Sequence, residues 1–468
     1  MDVTAEEGAQ GGKSVCLLFP YFDEGFIMRK VPLGLAYLAG ALRGRGIHVE
    51  AYNLNVDDIR EINFKDFDFV GLTCLTPFAE TIRNALAHVL KSSPAIKVVL
   101  GGTHPTLATQ HCLDSIPEAD YLITGEGEEA ICELVMNEDN FAAIPGVYYR
   151  DKDGKAKGTP KKTPDIHAMA YPDLTLFDHG KLEERNPLRP ILASRGCPWG
   201  CFNCQPNLNI VQPYRLRKAE SVIEEIQWRQ KSHGQTYFGF IDSEFPIKKE
   251  WFRLFRRLIR ERRIDFAFHC NARADLLDGD ILDWYVDLGI TRLAIGVESG
   301  VQRVVNEVLN KRLGLDLARR MFEAADERGI RTHAHFMIGM PGETLDDMRQ
   351  TLAYARDLKA TSVEFNLLTP WPGTRFHDIA IEGGLLTEND PAKFNEKRIP
   401  VITTPDFTAR QVMDMHIEIS RSLTGEGWTR TPDGTVFFRP GFEQYADPAP
   451  PPSARPGLRK PGYATAIM

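Results

Sequence analysis

The second half of the sequence alternates short apolar runs with amphipathic helical segments, and this alternation constrains the fold more than any other feature. One apolar run precedes Ser194, and further runs of strand length occupy residues 237–241, 266–270, 292–295, 332–338 and 363–368. A helical pattern follows each of them, which gives six strand–helix units. The pattern predicts an α/β fold with a partial parallel (β/α)6 TIM-like barrel. The active site of such a barrel lies where the strands end.

Three cysteines, Cys197, Cys201 and Cys204, stand on the loop after the first of these strands, with the spacing C-x3-C-x2-C. Thiolates are soft ligands that suit zinc, copper(I) or iron–sulfur clusters. A structural zinc site normally has four ligands, but the nearest downstream Cys or His is His233. Three ligands on a four-iron cluster leave one iron open to another molecule, which indicates a catalytic site. The alternative is a three-cysteine metal site completed by a distant ligand.

The cysteine spacing resembles the cluster loop of radical S-adenosylmethionine (SAM) enzymes. The segment Gly296-Val297-Glu298-Ser299-Gly300 resembles the family's G-x-E-x-G, and residues 339–343 and 370–374 resemble its later strand ends. In this family a [4Fe–4S] cluster binds the amino and carboxylate groups of SAM, and its reduction cleaves SAM to a 5′-deoxyadenosyl radical. The resemblance implies that Cys197, Cys201 and Cys204 are the cluster ligands and catalytic residues.

The strand ends and the resemblance together give a set of predicted SAM contacts. They are Phe202, Asn203, Asp242, Asn271, Arg273, Gly296, Glu298, Ser299, His335, Gly339 and Pro370. Two structural alternatives stay open: Glu298 forms a salt bridge within the barrel, or Arg273 pairs with Asp275 or Asp242. The chain also departs from the family at Asn203, because an aromatic residue usually precedes the third cysteine.

The first third of the chain shows a second strand–helix alternation, with glycines where strands end. Apolar runs occupy residues 14–19, 47–52, 69–74, 96–100 and 121–124, and helical patterns occupy residues 32–43 and 81–90. This order predicts a doubly wound, Rossmann-like parallel sheet. Ligands of such sheets bind at the carboxyl ends of the strands.

Three loops of this region resemble those of the cobalamin-binding domain of corrinoid enzymes: Thr73-x-x-Thr76, Gly101-Gly102 and residues 125–128. Many such domains carry D-x-H-x-x-G, whose His ligates cobalt; this chain keeps Gly34 but has Val31 at the His position. The resemblance implies bound cobalamin with a weak lower ligand or none. The implied contacts are Phe22, Arg29, Val31, Gly34, Leu35, Thr73, Cys74, Thr76, Gly101, Gly102, His104, Gly125, Glu126, Gly127 and Glu128. A flavodoxin-like domain that binds a nucleotide or nothing is the alternative, and for His104 a plain loop position.

The 468 residues are too many for one core. The expected domains are a cobalamin-binding domain at 14–145, a connector at 146–187, the barrel at 188–380, and a small C-terminal helical segment with a proline-rich tail at 381–468. Seven prolines between residues 440 and 461 indicate a disordered tail or a strap over the site.

Composition favours a cytoplasmic enzyme. The net charge of −8 argues against nucleic acid or an anionic membrane as the main partner. Neither a membrane span nor a signal peptide is apparent. Five scattered cysteines (Cys16, Cys74, Cys112, Cys132 and Cys270) are expected to be small buried residues rather than a disulfide framework. The expected partners are a small-molecule substrate and an external electron donor of the flavodoxin or ferredoxin type, with the protein a monomer.

The two resemblances together imply a cobalamin-dependent radical SAM methyltransferase. One SAM would methylate cobalt(I), and a second would supply the radical that activates an unactivated carbon of a small molecule such as a secondary metabolite. The alternatives are a radical cyclisation, ring rearrangement or oxidation without methyl transfer, and methylation at phosphorus or at an aromatic carbon. A corrinoid-based sensor is a further alternative from a different class.

Overall fold

The computed structural model describes residues 12–22, 31–177, 190–205, 213–395, 399–432 and 434–446. Within these residues the chain forms a seven-stranded sheet, an eight-stranded sheet and a small pair of strands. None of the helices found there is both long enough and apolar enough to cross a membrane.

The first sheet has the strand order 2-1-3-4-5-6-7. Its strands are β1 (Ser14–Phe19), β2 (His48–Asn53), β3 (Phe69–Thr73), β4 (Lys97–Gly101), β5 (Tyr121–Ile123), β6 (Val147–Arg150) and β7 (Ala156–Gly158). The first five are parallel in the order 2-1-3-4-5, which is the flavodoxin-like doubly wound order. The predicted Rossmann-like sheet is thus confirmed.

Helices cover both faces of this sheet. They are Leu33–Arg43, Ala79–Ser92, Thr103–Leu107, Thr109–Ser115 and Glu128–Met136. Successive side chains of a strand point to opposite faces, so Val15 and Leu17 of β1 enter one core while Cys16 and Leu18 enter the other. Two separate apolar cores therefore hold the sheet between two helical layers.

The first sheet extends beyond the boundary predicted at residue 145. The antiparallel hairpin β6–β7, expected within the connector, pairs with β5. Leu174 and Phe177 of the connector are buried in the first core. Gly40 permits this packing, because a Cβ there would stand 2.0 Å from the carbonyl oxygen of Tyr171. The connector is thus largely part of the first domain.

The second sheet contains the partial barrel. The strands from residue 190 onward are β8 (Pro190–Ile191), β9 (Ser194–Arg195), β10 (Arg215–Leu216), β11 (Tyr237–Phe240), β12 (Ala267–Ala272), β13 (Ile290–Glu298), β14 (Thr332–Ile338), β15 (Ser362–Leu367), β16 (Thr429–Arg430) and β17 (Val436–Phe438). β8 and β11 to β15 are consecutive parallel neighbours, as predicted. β9 and β10 form the small antiparallel pair.

The helices of the barrel region, except Arg375–Glu382, lie where the 3.6-residue pattern predicts them. They are Ala219–His233, Lys249–Glu261, Gly279–Leu288, Leu315–Glu327, Leu345–Asp357, Arg375–Glu382 and Ala409–Gly425. The last of these begins with a capping box between Thr408 and Gln411, which satisfies backbone donors of the first turn.

The C-terminal part belongs to the barrel core rather than to a separate segment. Two strands that the sequence did not predict continue the sheet: β17 pairs antiparallel with β15, and β16 pairs antiparallel with β17. Met415, Ile419, Trp428 and Phe437 are buried in the same core as the barrel strands. The boundary predicted at residue 380 therefore divides one packed unit. Most of the proline-rich stretch lies outside the described residues.

Candidate functional site

The three clustered cysteines lie on the loop that follows β9, and none of the three forms a disulfide. Cys197 is buried, whereas Cys201 and Cys204 are half-buried. The loop is tied to the barrel on its far side: Phe202 N–H donates to the Leu309 carbonyl at 2.9 Å, and Asn310 Nδ2 donates to the Gly200 carbonyl at 2.9 Å. The loop is therefore held at both ends over the carboxyl ends of the strands.

Asp242, a predicted SAM contact, has a structural role in the first turn of this loop. Its buried carboxylate accepts hydrogen bonds from the Ala193 N–H at 3.1 Å and from the Ser194 hydroxyl. Burial raises the pKa of Asp242 to about 6. Because both donors lie just before the cysteines, Asp242 anchors the strand that leads into the cluster loop.

Glu298 and Arg273, two more predicted SAM contacts, have protein partners beside the cysteines. Glu298 accepts a hydrogen bond from the buried Lys311 Nζ at 2.9 Å. Arg273 binds Asp275 through two hydrogen bonds of 2.9 Å and lies 4.1 Å from the centre of the Trp199 ring. Both residues therefore form the salt bridges that the sequence analysis left open as alternatives. Both also lie next to the cysteine loop.

Gly296 leaves room for this ion pair in its observed position. A Cβ at this position would lie 2.4 Å from Glu298 Oε1 and 2.9 Å from Lys311 Nζ. Both distances are shorter than nonbonded contacts permit, so a side chain would displace the pair. The role of Gly296 is thus to give room to Glu298.

Glu244 is a site residue that the sequence analysis missed. One oxygen of its carboxyl group is buried and has no hydrogen-bond partner in the described part of the chain. Burial raises the pKa of Glu244 to about 8, against the opposing effect of Lys311 and Arg273. The signal was present in the sequence, because Glu244 follows Asp242 by two residues at the end of β11. Buried polar atoms are normally hydrogen-bonded, so this oxygen is a candidate acceptor for a bound donor or an ordered water.

A pocket of about 120 Å³ opens beside the cysteine loop. Asn203 and Glu298, both predicted, line it together with Met337 and Asn366, which were not predicted. Asn203 Nδ2 lies 4.0 Å from Met337 Sδ. The lining therefore combines polar and apolar groups.

The other predicted SAM contacts are buried or have protein partners. Ser299 is fully buried, with its hydroxyl 3.0 Å from Thr351 Oγ1, behind the sheet. His335 lies within β14 rather than at its end, with Nδ1 3.2 Å from Glu364 Oε2. Pro370 is buried, and the Phe202 ring packs edge-on against Phe376.

Asn271 and Gly339, two further predicted SAM contacts, lie at or just after the ends of their strands. Asn271 is exposed at the end of β12 and donates to the Asp242 carbonyl at 3.3 Å. Gly339 has φ +88°, and its N–H donates to Glu343 Oε2 at 2.8 Å. Glu343 thus shapes the turn after β14.

In the first domain, Glu126 and Glu128, both predicted cobalamin contacts, form ion pairs across the domain boundary. Arg195 lies 2.8 Å from Glu126 and 2.5 Å from Glu128, and its guanidinium carbon lies 5.1 Å above the Tyr37 ring. Arg215, which faces Arg195 across the β9–β10 pair, also binds Glu126. We call these four charged residues the interdomain latch. It joins the loop after β5 to the strand that leads to Cys197.

His104 and Thr76, also predicted cobalamin contacts, belong to a buried hydrogen-bond chain. His104 is 1% exposed; its Nδ1 lies 3.2 Å from Thr76 Oγ1 and its Nε2 lies 3.1 Å from His111 Nδ1. Burial lowers the pKa of His104 to about 4. Both ring nitrogens are engaged within the protein, so His104 is a structural residue.

The remaining predicted cobalamin contacts are either buried in the protein or have space beside them. Val31 and Leu35 are in the first core, and Cys74 is buried with its sulfur 3.9 Å from that of Cys112. By contrast, a Cβ at Gly34 would meet no atom within 4 Å, and one at Gly101 would meet only the Ile123 carbonyl at 4.0 Å.

The open positions cluster at the carboxyl edge of the first sheet. Phe22 is half-buried against Phe78 at 4.9 Å, Thr73 ends β3, and Gly102 (φ +118°) and Gly125 (φ +79°) adopt conformations that favour glycine. Gly127 packs near Leu38. Arg29 lies outside the described residues. A Cβ at Gly102 would lie 2.9 Å from the Cys74 carbonyl oxygen and one at Gly125 2.6 Å from the Lys161 side chain, so close packing within the protein also favours glycine at both positions.

The pKa of His104 gives a prediction on stability. A folded-state pKa of about 4 lies below the ordinary value of 6.5, so the unfolded state binds more protons between those two pH values. Stability from neutral His104 is complete above pH 6.5 and is lost as the pH falls toward 4, by on the order of 3 kcal/mol. We expect the melting temperature of His104→Gln to fall less steeply than that of the unchanged protein over this range.

Comparing the melting temperatures of the two proteins across this pH range isolates the contribution of His104, because every other titrating group is common to both proteins. A matched control is His167→Gln, since His167 is exposed, and its curve should follow the unchanged protein. Parallel curves for His104→Gln and the unchanged protein would contradict the assignment of a neutral, buried His104.

Comparison with known proteins places the two halves of the chain in known families. Residues 191–355 match the radical SAM superfamily, and residues 30–135 match the B12 binding domain. The anaerobic magnesium-protoporphyrin IX monomethyl ester cyclase of Rubrivivax gelatinosus is 29% identical over 374 residues, which cover 75% of this chain and just under two thirds (66%) of the cyclase. An uncharacterized methyltransferase of Pyrococcus horikoshii is 27% identical over 393 residues, covering 81% of this chain and 85% of the relative.

A solved structure has the same fold over nearly the whole chain. The radical SAM methyltransferase TsrM from Kitasatospora setae superposes with a TM-score of 0.68 at 20% identity, covering 93% of this chain and 87% of TsrM. The domain order, the sheet topologies and the cysteine loop at the end of the first barrel strand agree with the two family matches. The chain therefore belongs to the cobalamin-dependent radical SAM enzymes, in which a B12-binding domain precedes a radical SAM barrel.

Proposed function

We propose that this protein is a cobalamin-dependent radical SAM methyltransferase that transfers a methyl group to a carbon of a small molecule. The observation that carries the proposal is the latch: it fastens the strand leading to the three clustered cysteines directly to a loop at the carboxyl edge of the sheet of the B12-binding domain. The cysteine loop and that edge are therefore neighbours, as a transfer between their cofactors requires.

The described residues fit the three cofactors. Cys197, Cys201 and Cys204 would ligate the [4Fe–4S] cluster, and the unpartnered oxygen of Glu244 would accept a hydrogen bond from the SAM ammonium. Asn203 and Glu298 would line the rest of the SAM pocket. The open edge at Phe22, Gly34, Thr73, Gly101, Gly102, Gly125 and Gly127 would receive cobalamin, with Arg29 as a further proposed contact.

Side chains of a protein offer no group that breaks a strong C–H bond, so the cluster with SAM supplies the radical and cobalamin carries the methyl group. The residues of this chain position these groups and exclude water. Lys311 and Arg273 place two positive charges beside the cysteine loop, where they would stabilise the negative charge of a thiolate-ligated cluster. Met337 and Trp371 give the pocket its apolar side.

The second candidate is a radical cyclisation, ring rearrangement or oxidation without methyl transfer. The similarity to the magnesium-protoporphyrin cyclase favours it, because that relative is 29% identical over 75% of this chain. The methyltransferase proposal is preferred because the P. horikoshii relative and TsrM, both methyltransferases by name, match a larger share of the chain. Methylation at phosphorus or at an aromatic carbon is a variant of the same proposal.

The deciding experiment is anaerobic reconstitution with iron, sulfide and cobalamin, followed by turnover with SAM, a strong reductant and fractionated small metabolites. A methyltransferase of this kind forms S-adenosylhomocysteine together with 5′-deoxyadenosine, and a product heavier by one methylene group. Formation of 5′-deoxyadenosine with an unmethylated product would support the second candidate. Absence of SAM cleavage would overturn both in favour of a corrinoid sensor.

Three further features belong to the proposal. The enzyme would act as a monomer in the cytoplasm on a small molecule, without nucleic acid or a membrane as partner. It would receive single electrons from a flavodoxin or a ferredoxin. Size-exclusion chromatography and electron transfer from either donor in place of the chemical reductant would test these points.

The latch provides a separate prediction. Arg195→Met removes the charge that binds Glu126 and Glu128, two carboxylates that are 10% and 15% exposed. Breaking a buried pair leaves uncompensated charge and costs about 3–5 kcal/mol. We expect SAM cleavage at the cluster to persist, while S-adenosylhomocysteine formed per 5′-deoxyadenosine falls by about tenfold, since the two domains lose their alignment.

The ratio of the two products distinguishes misalignment from general damage, because an unstable protein would lose both together. Arg253→Met is the matched control, since Arg253 forms an exposed pair with Glu250, and it should leave the ratio unchanged. An unchanged ratio in Arg195→Met would show that the latch does not align the domains.

A further inference from the structure

We propose that His333, His335 and Glu364 form a binding site for one divalent transition-metal ion inside the barrel. The two histidines make an H-x-H motif on β14, and the glutamate lies on β15 beside them. His335 and Glu364 precede Met337 and Asn366, which line the pocket beside the cysteine loop, by two residues on the same strands. The metal site does not depend on the proposed methyl transfer.

The strand register brings the three side chains to one face of the sheet. Residues two apart on a strand point the same way, so His333 and His335 share a face. In the parallel ladder His333 pairs with Ser362, and His335 pairs with Glu364. A carboxylate thus meets two imidazoles without any loop contribution, and rigid strands hold all three groups.

The distances fit a single small ion. One nitrogen of each histidine and one oxygen of Glu364 lie within 4.8 Å of one another. His333 Nε2 lies 3.4 Å and His335 Nδ1 lies 3.2 Å from Glu364 Oε2. Zinc–ligand bonds of about 2.0–2.1 Å in a tetrahedral site separate neighbouring ligand atoms by roughly 3.3–3.4 Å. The observed spacing therefore needs little adjustment.

A hydroxyl group orients the innermost ligand. His333 Nδ1 lies 2.8 Å from Ser362 Oγ, which fixes the ring with Nε2 toward Glu364. Metal-binding histidines commonly have such a partner on the second ring nitrogen. The side chains of His333 and Glu364 are 5% and 10% exposed, whereas His335 is 35% exposed. The open side next to His335 leaves room for water or a substrate atom as a fourth ligand.

The ligand set indicates the class of metal. Two imidazoles and one carboxylate suit Zn²⁺, Fe²⁺, Co²⁺ or Ni²⁺, whereas Mg²⁺ and Ca²⁺ prefer oxygen ligands. The positive charge of Arg292 acts on both His333 and Glu364 and opposes a cation. We therefore expect weaker binding than at a structural zinc site. The competing description is a hydrogen-bonded polar triad without a metal.

The test is a cobalt(II) titration of the full-length protein with Cys197, Cys201 and Cys204 replaced by Ser, which removes the cluster ligands. We expect saturable visible absorption bands of a protein-bound cobalt(II) ion, which zinc abolishes by competition. His335→Ala and Glu364→Gln, each added to this protein, should weaken binding by at least about tenfold, because each removes a ligand. His167→Ala is the matched control, since His167 is exposed and remote in sequence.

Elemental analysis of the unchanged, fully reconstituted protein gives a second readout. We expect a metal such as zinc beyond the cluster iron and the corrin cobalt, and its loss in His335→Ala. Failure of cobalt(II) to bind at millimolar concentration, or equal binding in both variants, would overturn the site in favour of the polar triad. Circular dichroism checks that each variant folds. If Glu364→Gln does not fold, the cobalt(II) titration of His335→Ala decides the question, because His335 is partly exposed and its replacement disturbs the fold less.

Discussion

Replacing Cys201 with Ala should abolish SAM cleavage and every later step. The [4Fe–4S] cluster has three protein ligands in this family, and two thiolates would leave a second iron open to water and loss. Cys201 is half-buried on the loop, with the positive charges of Lys311 and Arg273 nearby. No other cysteine of the described residues belongs to this loop beyond Cys197 and Cys204. Replacing a residue that only hydrogen-bonds to a metal ligand already lowers metal affinity or activity by up to about a hundredfold. Because Cys201 is itself a ligand, we expect formation of 5′-deoxyadenosine to fall by more than about a hundredfold.

The measurement combines iron and sulfide content, the visible spectrum of the cluster and SAM cleavage after anaerobic reconstitution. Cys270→Ala is the matched control: Cys270 is 1% exposed in the barrel core, where a thiol acts as a small apolar group. Its variant should keep iron content and cleavage. A Cys201→Ala protein that still held four irons and cleaved SAM would contradict the assignment of the three cysteines.

Long, strongly patterned elements could be predicted from the sequence, whereas short ones could not. The five parallel strands of the first sheet and the six of the barrel were predicted because each is an apolar run followed by a helical pattern. The hairpin β6–β7 was predicted as strands but not as part of the first sheet. β16 and β17 were missed, since two or three residues carry too little pattern. Their position is set by packing against β15, which the local sequence does not encode.

The site was predictable where ligands are close in sequence. Cys197, Cys201 and Cys204 stand within eight residues, so their spacing alone indicates a cluster. The partners of other polar residues come from far along the chain: Glu128 binds Arg195, 67 residues later, and Asp242 binds the Ser194 hydroxyl, 48 residues earlier. A sequence shows that a polar residue ends a strand. It does not show whether a distant residue already satisfies it.

Glu244 shows the converse case, because one oxygen of its carboxyl group has no hydrogen-bond partner among the described residues. Its neighbour Asp242 accepts two hydrogen bonds that build the loop, whereas one Glu244 oxygen is buried without a partner. Leaving a buried polar atom unpaired costs about 1–3 kcal/mol. A cationic ligand that binds this carboxyl group beside the cysteine loop would explain why the folded protein tolerates this loss of stability. The SAM ammonium is such a ligand.

Glu244→Gln should therefore weaken SAM binding far more than it weakens the fold. A hydrogen bond between charged groups contributes about 1.5–3 kcal/mol, and 1.4 kcal/mol is a factor of ten in affinity, so we expect the KM for SAM to rise by about 10- to 100-fold. The cluster spectrum should stay intact, because Gln has the size of Glu and Glu244 is not a cluster ligand. Glu250→Gln is the matched control, since Glu250 is exposed on the neighbouring helix, and its KM should not change. An unchanged KM in Glu244→Gln would mean that the carboxyl group faces something other than SAM. A lost cluster spectrum would mean that it supports the cysteine loop instead.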